Sequence, residues 1–181
     1  IRAATDADLP AIAEHLNAFY ADYNFYRPQT ADSLRAWLQA TPFDTPINHY
    51  LVAVDSANRI VAGMGIREEG RIMSLYIEQV PALIRFANLL LKIVPPDNEM
   101  RNLEVEKLWF APDQLEAARH LWQTVRWEWR ERGSSLLCNL DPRSPIRAVL
   151  QNPPWMPTTS VSLAVRAPVP IDESRLIDPM I

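Results

Sequence analysis

Cysteine occurs once in this 181-residue chain, at Cys138, so neither a disulfide framework nor a thiolate zinc cage can be built within it. A reducing, cytoplasmic setting is the simpler expectation. Histidine is almost as scarce: His15, His49 and His120 have no spacing that would assemble a metal site, and no metal is expected. Basic charge is not in excess, with 18 Lys and Arg against 22 Asp and Glu, which gives no electrostatic reason to favour nucleic acid. The longest apolar stretch, "PALIRFANLLLKIVPP", is helical from Pro81 to Val94 by its pattern and falls short of the roughly 20 residues a membrane span requires. The first residues, Ile1-Arg2-Ala3-Ala4, include no starting Met, charged leader or cleavable apolar segment. No secretory signal is therefore expected, and the chain could be part of a longer protein.

What is present is a 48% hydrophobic chain of a length that suits one domain with a substantial core. Leu9, Ile12, Leu16, Phe19 and Tyr23 recur at steps of three and four behind Thr5, Asp6 and Asp8, which predicts a helix with one core face. Thr30 and Asp32 open a shorter helix carrying Leu34, Trp37 and Leu38. The period then changes. "HYLVAVD" and "RIVAGMGI", joined by "SAN", read as an antiparallel pair of strands. The Pro81–Val94 helix carries so little polar surface that it is either buried or faces a partner or lipid.

"LEVEKLWF", Leu103 to Phe110, is a strand; the helix after it buries Leu115, Ala118, Trp122, Val125 and Trp129, with Gly133 placed to end it. "SSLLCNL" reads as a strand, "PRSPIRAVLQN" as a short helix and "TTSVSLAVRAP" as a last strand before a tail from residue 169 to 181. Strands alternate with helices only in the second half, so the pattern predicts an α/β (α+β) domain, a mixed sheet with helices on both faces. Leu103–Phe110 and Ser135–Leu140 should run parallel, because the helix between them requires a crossover. Trp127 projects almost opposite Trp122 and Trp129, so something is expected to cover it, either the inserted helix or a partner. "GMG" at Gly63–Gly65 lacks the rest of a dinucleotide fingerprint and reads as a bulge or a packing site. Arg119, Arg126 and Arg130 share one flank of the long helix, either to meet an anion or simply solvated.

The order of these elements resembles the GNAT superfamily of acyl-CoA-dependent N-acyltransferases over residues 1 to 168, with an insertion over about residues 71 to 102. "IRAATDADLPAIAEHL" is similar to the family's opening strand and acidic Leu-Pro helix start, and "LVAVDSANRIVAGMGI" to its second and third strands. The resemblance implies a mostly antiparallel sheet, acetyl-CoA or another acyl-CoA as donor and a small-molecule or peptide amine as acceptor. It also implies a turn after "LEVEKLWF" whose amides bind the coenzyme A pyrophosphate, drawing on Trp109, Phe110, Ala111, Gln114, Glu116, Ala117 and Ala118. The family's glycine positions fall on Glu116 and Ala118, and its Arg or Gln on Asp113, so the turn departs from the pattern where a phosphate must approach the backbone closely. Glu104 falls where some members carry the catalytic base, with Glu106 of the same parity as second choice. Leu150 stands where a tyrosine general acid is frequent. Two readings follow, an acyltransferase and a catalytically degenerate module of the same fold that binds a neighbouring domain or a second copy through the 81–94 helix and Trp127. A lipid-contacting role for that helix is a third.

Overall fold

A computed structural model describes residues 1–81, 86, 88, 94–151, 158–162 and 170–178. In chain order its elements are β1 (Arg2–Ala3), α1 (Leu9–Phe19), β2 (Tyr23–Asn24), α2 (Ala31–Gln39), β3 (Asn48–Val54), β4 (Ile60–Arg67), β5 (Leu75–Tyr76), β6 (Glu99–Met100), β7 (Asn102–Phe110), α3 (Leu115–Glu128), β8 (Ser135–Cys138), α4 (Arg147–Leu150) and β9 (Leu176–Ile177).

The caps work as their residue types dictate. Thr5 and Asp8 form a capping box ahead of α1, and Asp8 also takes two bonds from the Arg2 guanidinium at 2.6 and 2.9 Å. The Thr30 hydroxyl accepts from the Ser33 amide to start α2. Leu9, Ile12 and Leu16 are buried along α1, as are Ala118, Leu121, Trp122 and Val125 along α3, which is the apolar stripe that the spacing requires.

The central sheet has the order β1-β3-β4-β7-β8. All its pairings are antiparallel except β7 with β8, which are parallel across the α3 crossover, from Asn102↔Ser135 to Val105↔Cys138. The two faces are identified by adjacent residues of β3, whose side chains must point oppositely. Trp37 of α2 meets Tyr50 edge-on at 6.5 Å, and the Tyr50 hydroxyl accepts from Trp109, on which His15 of α1 stacks at 4.5 Å. Trp129, just past α3, meets His49 on the other side at 4.9 Å. Helices α1 and α2 thus cover one face and α3 the other.

Several details differ from the expectations: α1 ends at Phe19, so Tyr23 stands in β2 rather than on the helix, and Leu115 is part-exposed. Gly133 does not cap α3, which ends at Glu128; a Cβ there would sit 2.6 Å from Leu103 Cγ, so the glycine is required by close packing on the start of β7. Trp127, expected to be covered by the inserted helix or a partner, is 69% exposed within this chain, with Arg130 over its ring at 4.3 Å. Residues 170–178 rejoin the body: β9 lies parallel to β2, with Tyr23↔Leu176 and Asn24↔Ile177. Of the expected Pro81–Val94 helix, all but Pro81, Phe86, Asn88 and Val94 lies outside the described residues. The expected strand "TTSVSLAVRAP" carries no strand over 158–162, and its residues 163–168 lie outside the described residues. No helix among the described residues is long and apolar enough to cross a membrane.

Candidate active site

The site is built on β7. This strand runs beside β4 in register at Gly63↔Trp109 and again at Gly65↔Glu106, so β7 uses one residue more than β4 in between. The extra residue is a β-bulge, and Lys107 within it takes the left-handed conformation with φ 51°. Gly63 and Gly65 flank it because no side chain fits there. A Cβ on Gly63 would lie 2.6 Å from Trp109 Nε1, and one on Gly65 would lie 2.9 Å from the Trp37 ring. The "GMG" phrase is therefore both a bulge partner and a packing site.

Glu104 and Glu106, the expected bases, stand on the α1–α2 side of β7 in different surroundings. Glu106 is 6% exposed; its Oε2 accepts from Trp37 Nε1 at 3.1 Å and from Lys107 Nζ at 3.0 Å, while Arg67 lies 3.7 Å from Oε1. Lys107 in turn lies over the Trp37 ring at 4.6 Å. Glu104 is half-buried and accepts one long bond, 3.3 Å, from Asn139 Nδ2. Burial, and after it the carboxylates of Glu106 and Glu69, push the Glu104 carboxyl above its ordinary value, with Arg67 and Asn139 opposing. Glu106 is thus bonded by an indole and a lysine with Arg67 nearby, whereas Glu104 holds a proton more tightly than usual.

Next to these residues the sheet opens. The β7–β8 ladder stops at Val105↔Cys138, while β7 continues to Phe110, leaving a notch between the strands. Its remaining free volume is about 20 Å³, space for a single water. Tyr20 fills it from the α1 side and donates to the Leu108 carbonyl at 2.7 Å. Tyr23 shares a 2.9 Å hydrogen bond with Ser144 Oγ across it. Burial raises the affinity of both phenols for their protons. Cys138 lines the same notch, its thiol pushed up to about 12 by burial and then by Glu104. A larger groove of about 610 Å³ lies at the other end of β7 and β8, lined in part by Arg101, Arg126 and Trp129; it does not include Glu104 or Glu106.

The turn after β7 is tight. Ala111 N–H donates to Val61 O, Gln114 N–H donates to Ala111 O, and Asp113 is left-handed at φ 63°. Helix α3 then begins without a side-chain cap, so the amides of Leu115, Glu116 and Ala117 have no acceptor among the described residues. Phe110, Ala111, Gln114 and Ala117 are part-exposed around this terminus, and the Glu116 carboxylate is 81% exposed, paired with Arg119 outside it. Trp109 and Ala118 are buried to 1% and 0%, so their side chains belong to the core. Arg119 and Arg126 bond within α3, Arg119 also to Ala148 O, and Arg130, just past the helix, donates to Trp127 O. His49 pairs with Glu68 at 2.8 Å, and among the described residues no group of three His, Cys, Asp or Glu could hold a metal ion.

Sequence reasoning missed Lys107, Asn139, Tyr20, Tyr23 and Ser144. The aromatic connector "FYADYNFYRPQ" carries two of them, but nothing in its spacing says that it folds into the notch.

No protein-family model matches the chain, and no curated protein matches it in sequence. Solved structures do. A probable acetyltransferase superposes with a TM-score of 0.58 at 12% identity, over 92% of this chain and 97% of that one. An aminoglycoside antibiotic 6'-N-acetyltransferase from Acinetobacter baumannii gives 0.53 at 9% identity, over 91% and 97%. A ribosomal-protein-alanine N-acetyltransferase from Brucella melitensis biovar Abortus 2308 gives 0.51 at 16%, over 92% and 96%. With its parallel β7–β8 pair, its notch and these neighbours, the chain has the fold of the GNAT acetyltransferases.

Proposed function

We propose that the chain is an acyl-CoA-dependent N-acyltransferase that moves an acetyl or other acyl group to an amine of a small molecule or peptide. The observation that carries this reading is Glu104, a half-buried carboxylate of raised proton affinity whose hydrogen-bond partner Asn139 lines the β7–β8 notch. The neutral amine attacks the thioester carbonyl carbon, the C–N bond forms, the C–S bond breaks, and the proton lost by nitrogen passes to Glu104. A carboxylate raised above its usual value is the better acceptor for that proton. Glu106 supports it from a distance: its carboxylate helps hold the Glu104 proton affinity up. The uncapped amides of Leu115, Glu116 and Ala117 would take the donor's diphosphate. Helices α1 and α2 and their connector would form the wall against the acceptor, which this fold leaves to variable parts.

A cytoplasmic setting belongs to the same reading, supported by a single thiol that is part-buried and holds its proton more tightly than usual. So does a neighbouring domain or second copy, supported by the exposed Ile72, Met73, Leu75, Tyr76 and Trp127. The filled notch and Leu150 favour a second reading, a non-catalytic module of this fold. The test is release of free thiol from acetyl-CoA in the presence of a panel of primary amines and amino-terminal peptides. The enzyme reading expects release, and a loss of about 10²- to 10⁴-fold in Glu104→Gln. No release with any amine leaves the non-catalytic module.

A further inference from the structure

The notch is closed by two lips, and one segment holds them together. One lip is the connector Ala21–Asn24, flanked by Tyr20; the other is the loop Asp141–Ser144 that follows β8. Residues 172–178 bridge both. Towards the connector, Arg175 donates to the carbonyls of Asp22 at 3.2 Å and Ala21 at 2.8 Å, Asn24 Nδ2 donates to Asp172 O at 2.7 Å, and the Asp178 amide donates to Asn24 O at 3.0 Å. Towards the loop, the Ile177 amide donates to Asp141 Oδ2 at 3.1 Å, and Arg143 donates to the carbonyls of Glu173 at 3.2 Å and Arg175 at 2.9 Å. Tyr20 and Tyr23, the side chains that fill the notch, stand on the segment clamped in this way.

The clamp is weakly anchored by apolar burial. From Asp172 to Asp178 every residue is exposed or part-exposed, Leu176 is the one packed against the hydrophobic core, and β9 contributes only two ladder pairs. Segments with few buried apolar contacts open at low free energy compared with the core. Behind the clamp, Leu108 O at the open edge of β7 is occupied by the Tyr20 hydroxyl, the kind of acceptor that a ligand amide would otherwise use.

We propose that residues 172–178 are a releasable clamp over the β7–β8 notch, and that the extended, amide-bearing arm of an acyl-CoA enters only when the clamp lets the connector withdraw Tyr20 and Tyr23. This rests on the acyl-CoA reading above and adds a control to it. The closed form lowers apparent affinity by the fraction of molecules that are open.

Hydrogen exchange on the full chain, with and without saturating acetyl-CoA, tests it. The amides of Ile177 and Asp178 should exchange at least roughly tenfold faster in the complex, while those of Val52 and Ala62 in the central sheet stay protected. Arg175→Ala, a substitution on the clamp and outside the proposed catalytic groups, should bind acetyl-CoA roughly tenfold more tightly, as expected if the open fraction rises by that factor. Acetyl-CoA that binds while Ile177 and Asp178 keep their protection, or an unchanged affinity in Arg175→Ala, overturns the clamp and leaves the acyl-CoA reading standing. No binding by either protein overturns both.

Discussion

Glu104 carries the sharpest conflict between stability and chemistry. Its folded proton affinity is raised by burial and by neighbouring carboxylates, so the folded state favours the protonated form. The stabilising contribution of this group is complete below its unfolded value and is lost as pH rises through the folded value. Glu104→Gln should therefore be more stable than the parent at pH 7 and lose that advantage in acid, while acyl transfer falls; denaturant titrations at pH 4 and pH 7 measure it. Greater stability of the parent at pH 7 would contradict this assignment. Glu116 stands in a different position. Its carboxylate is exposed and paired with Arg119 rather than folded over the helix terminus. Glu116→Gly should weaken the fold by roughly 1 kcal/mol, the cost of glycine in a helical turn, and tighten coenzyme A binding by removing a charge that repels diphosphate. If calorimetry finds affinity unchanged, the side chain already stands clear of the ligand.

At the scale of elements, α3 offers a test within one helix. Trp122 is 5% exposed and its indole N–H has no partner among the described residues, so its worth is packing alone. Trp122→Ala should cost roughly 3 to 5 kcal/mol, and Trp127→Ala, at a site 69% exposed, clearly less; denaturant unfolding of the two variants checks the order. The buried face of α3 was legible because burial imposes a period of 3.6, and the β3–β4 pair because two β-branched apolar runs are joined by a polar turn. The bulge at Lys107 was not, since a lysine in the left-handed region is held there by Trp37, Glu106 and the two close-packed glycines, all distant in sequence or neutral to propensity. Strand β9 was hidden for another reason. Two residues have no period, and the contacts that place them come from Asp141 and Arg143. Bonds from Arg143 above all hold the Asp141 carboxyl down, at about 2 against an ordinary 3.8. The stability it provides is present above the ordinary value and lost as pH falls through about 2. The stability difference between the parent and Asp141→Asn should accordingly shrink across that window.

Over the whole molecule, the order of elements carried more information than any single phrase. The opening Ile-Arg strand, the hairpin and the strand–helix–strand crossover each have many uses, yet only a few topologies accommodate them in this order. The parts of the proposed site were less legible, because a base, a notch and a diphosphate turn are defined by distances between elements. Glu104 was singled out by the family resemblance, and Glu106 by sharing its parity on the strand. Their unequal surroundings came from Trp37, Arg67 and Asn139, which lie on α2, β4 and the loop after β8. The central claim is that these parts serve an acyl-CoA, and titration of the full chain with acetyl-CoA in a calorimeter tests it most directly. The account predicts saturable binding at one site per chain with a dissociation constant below about 1 mM, the usual upper range for an enzyme's substrate. Heat no different from dilution up to that concentration would contradict it, and would leave this chain with the fold of an acetyltransferase but not its donor.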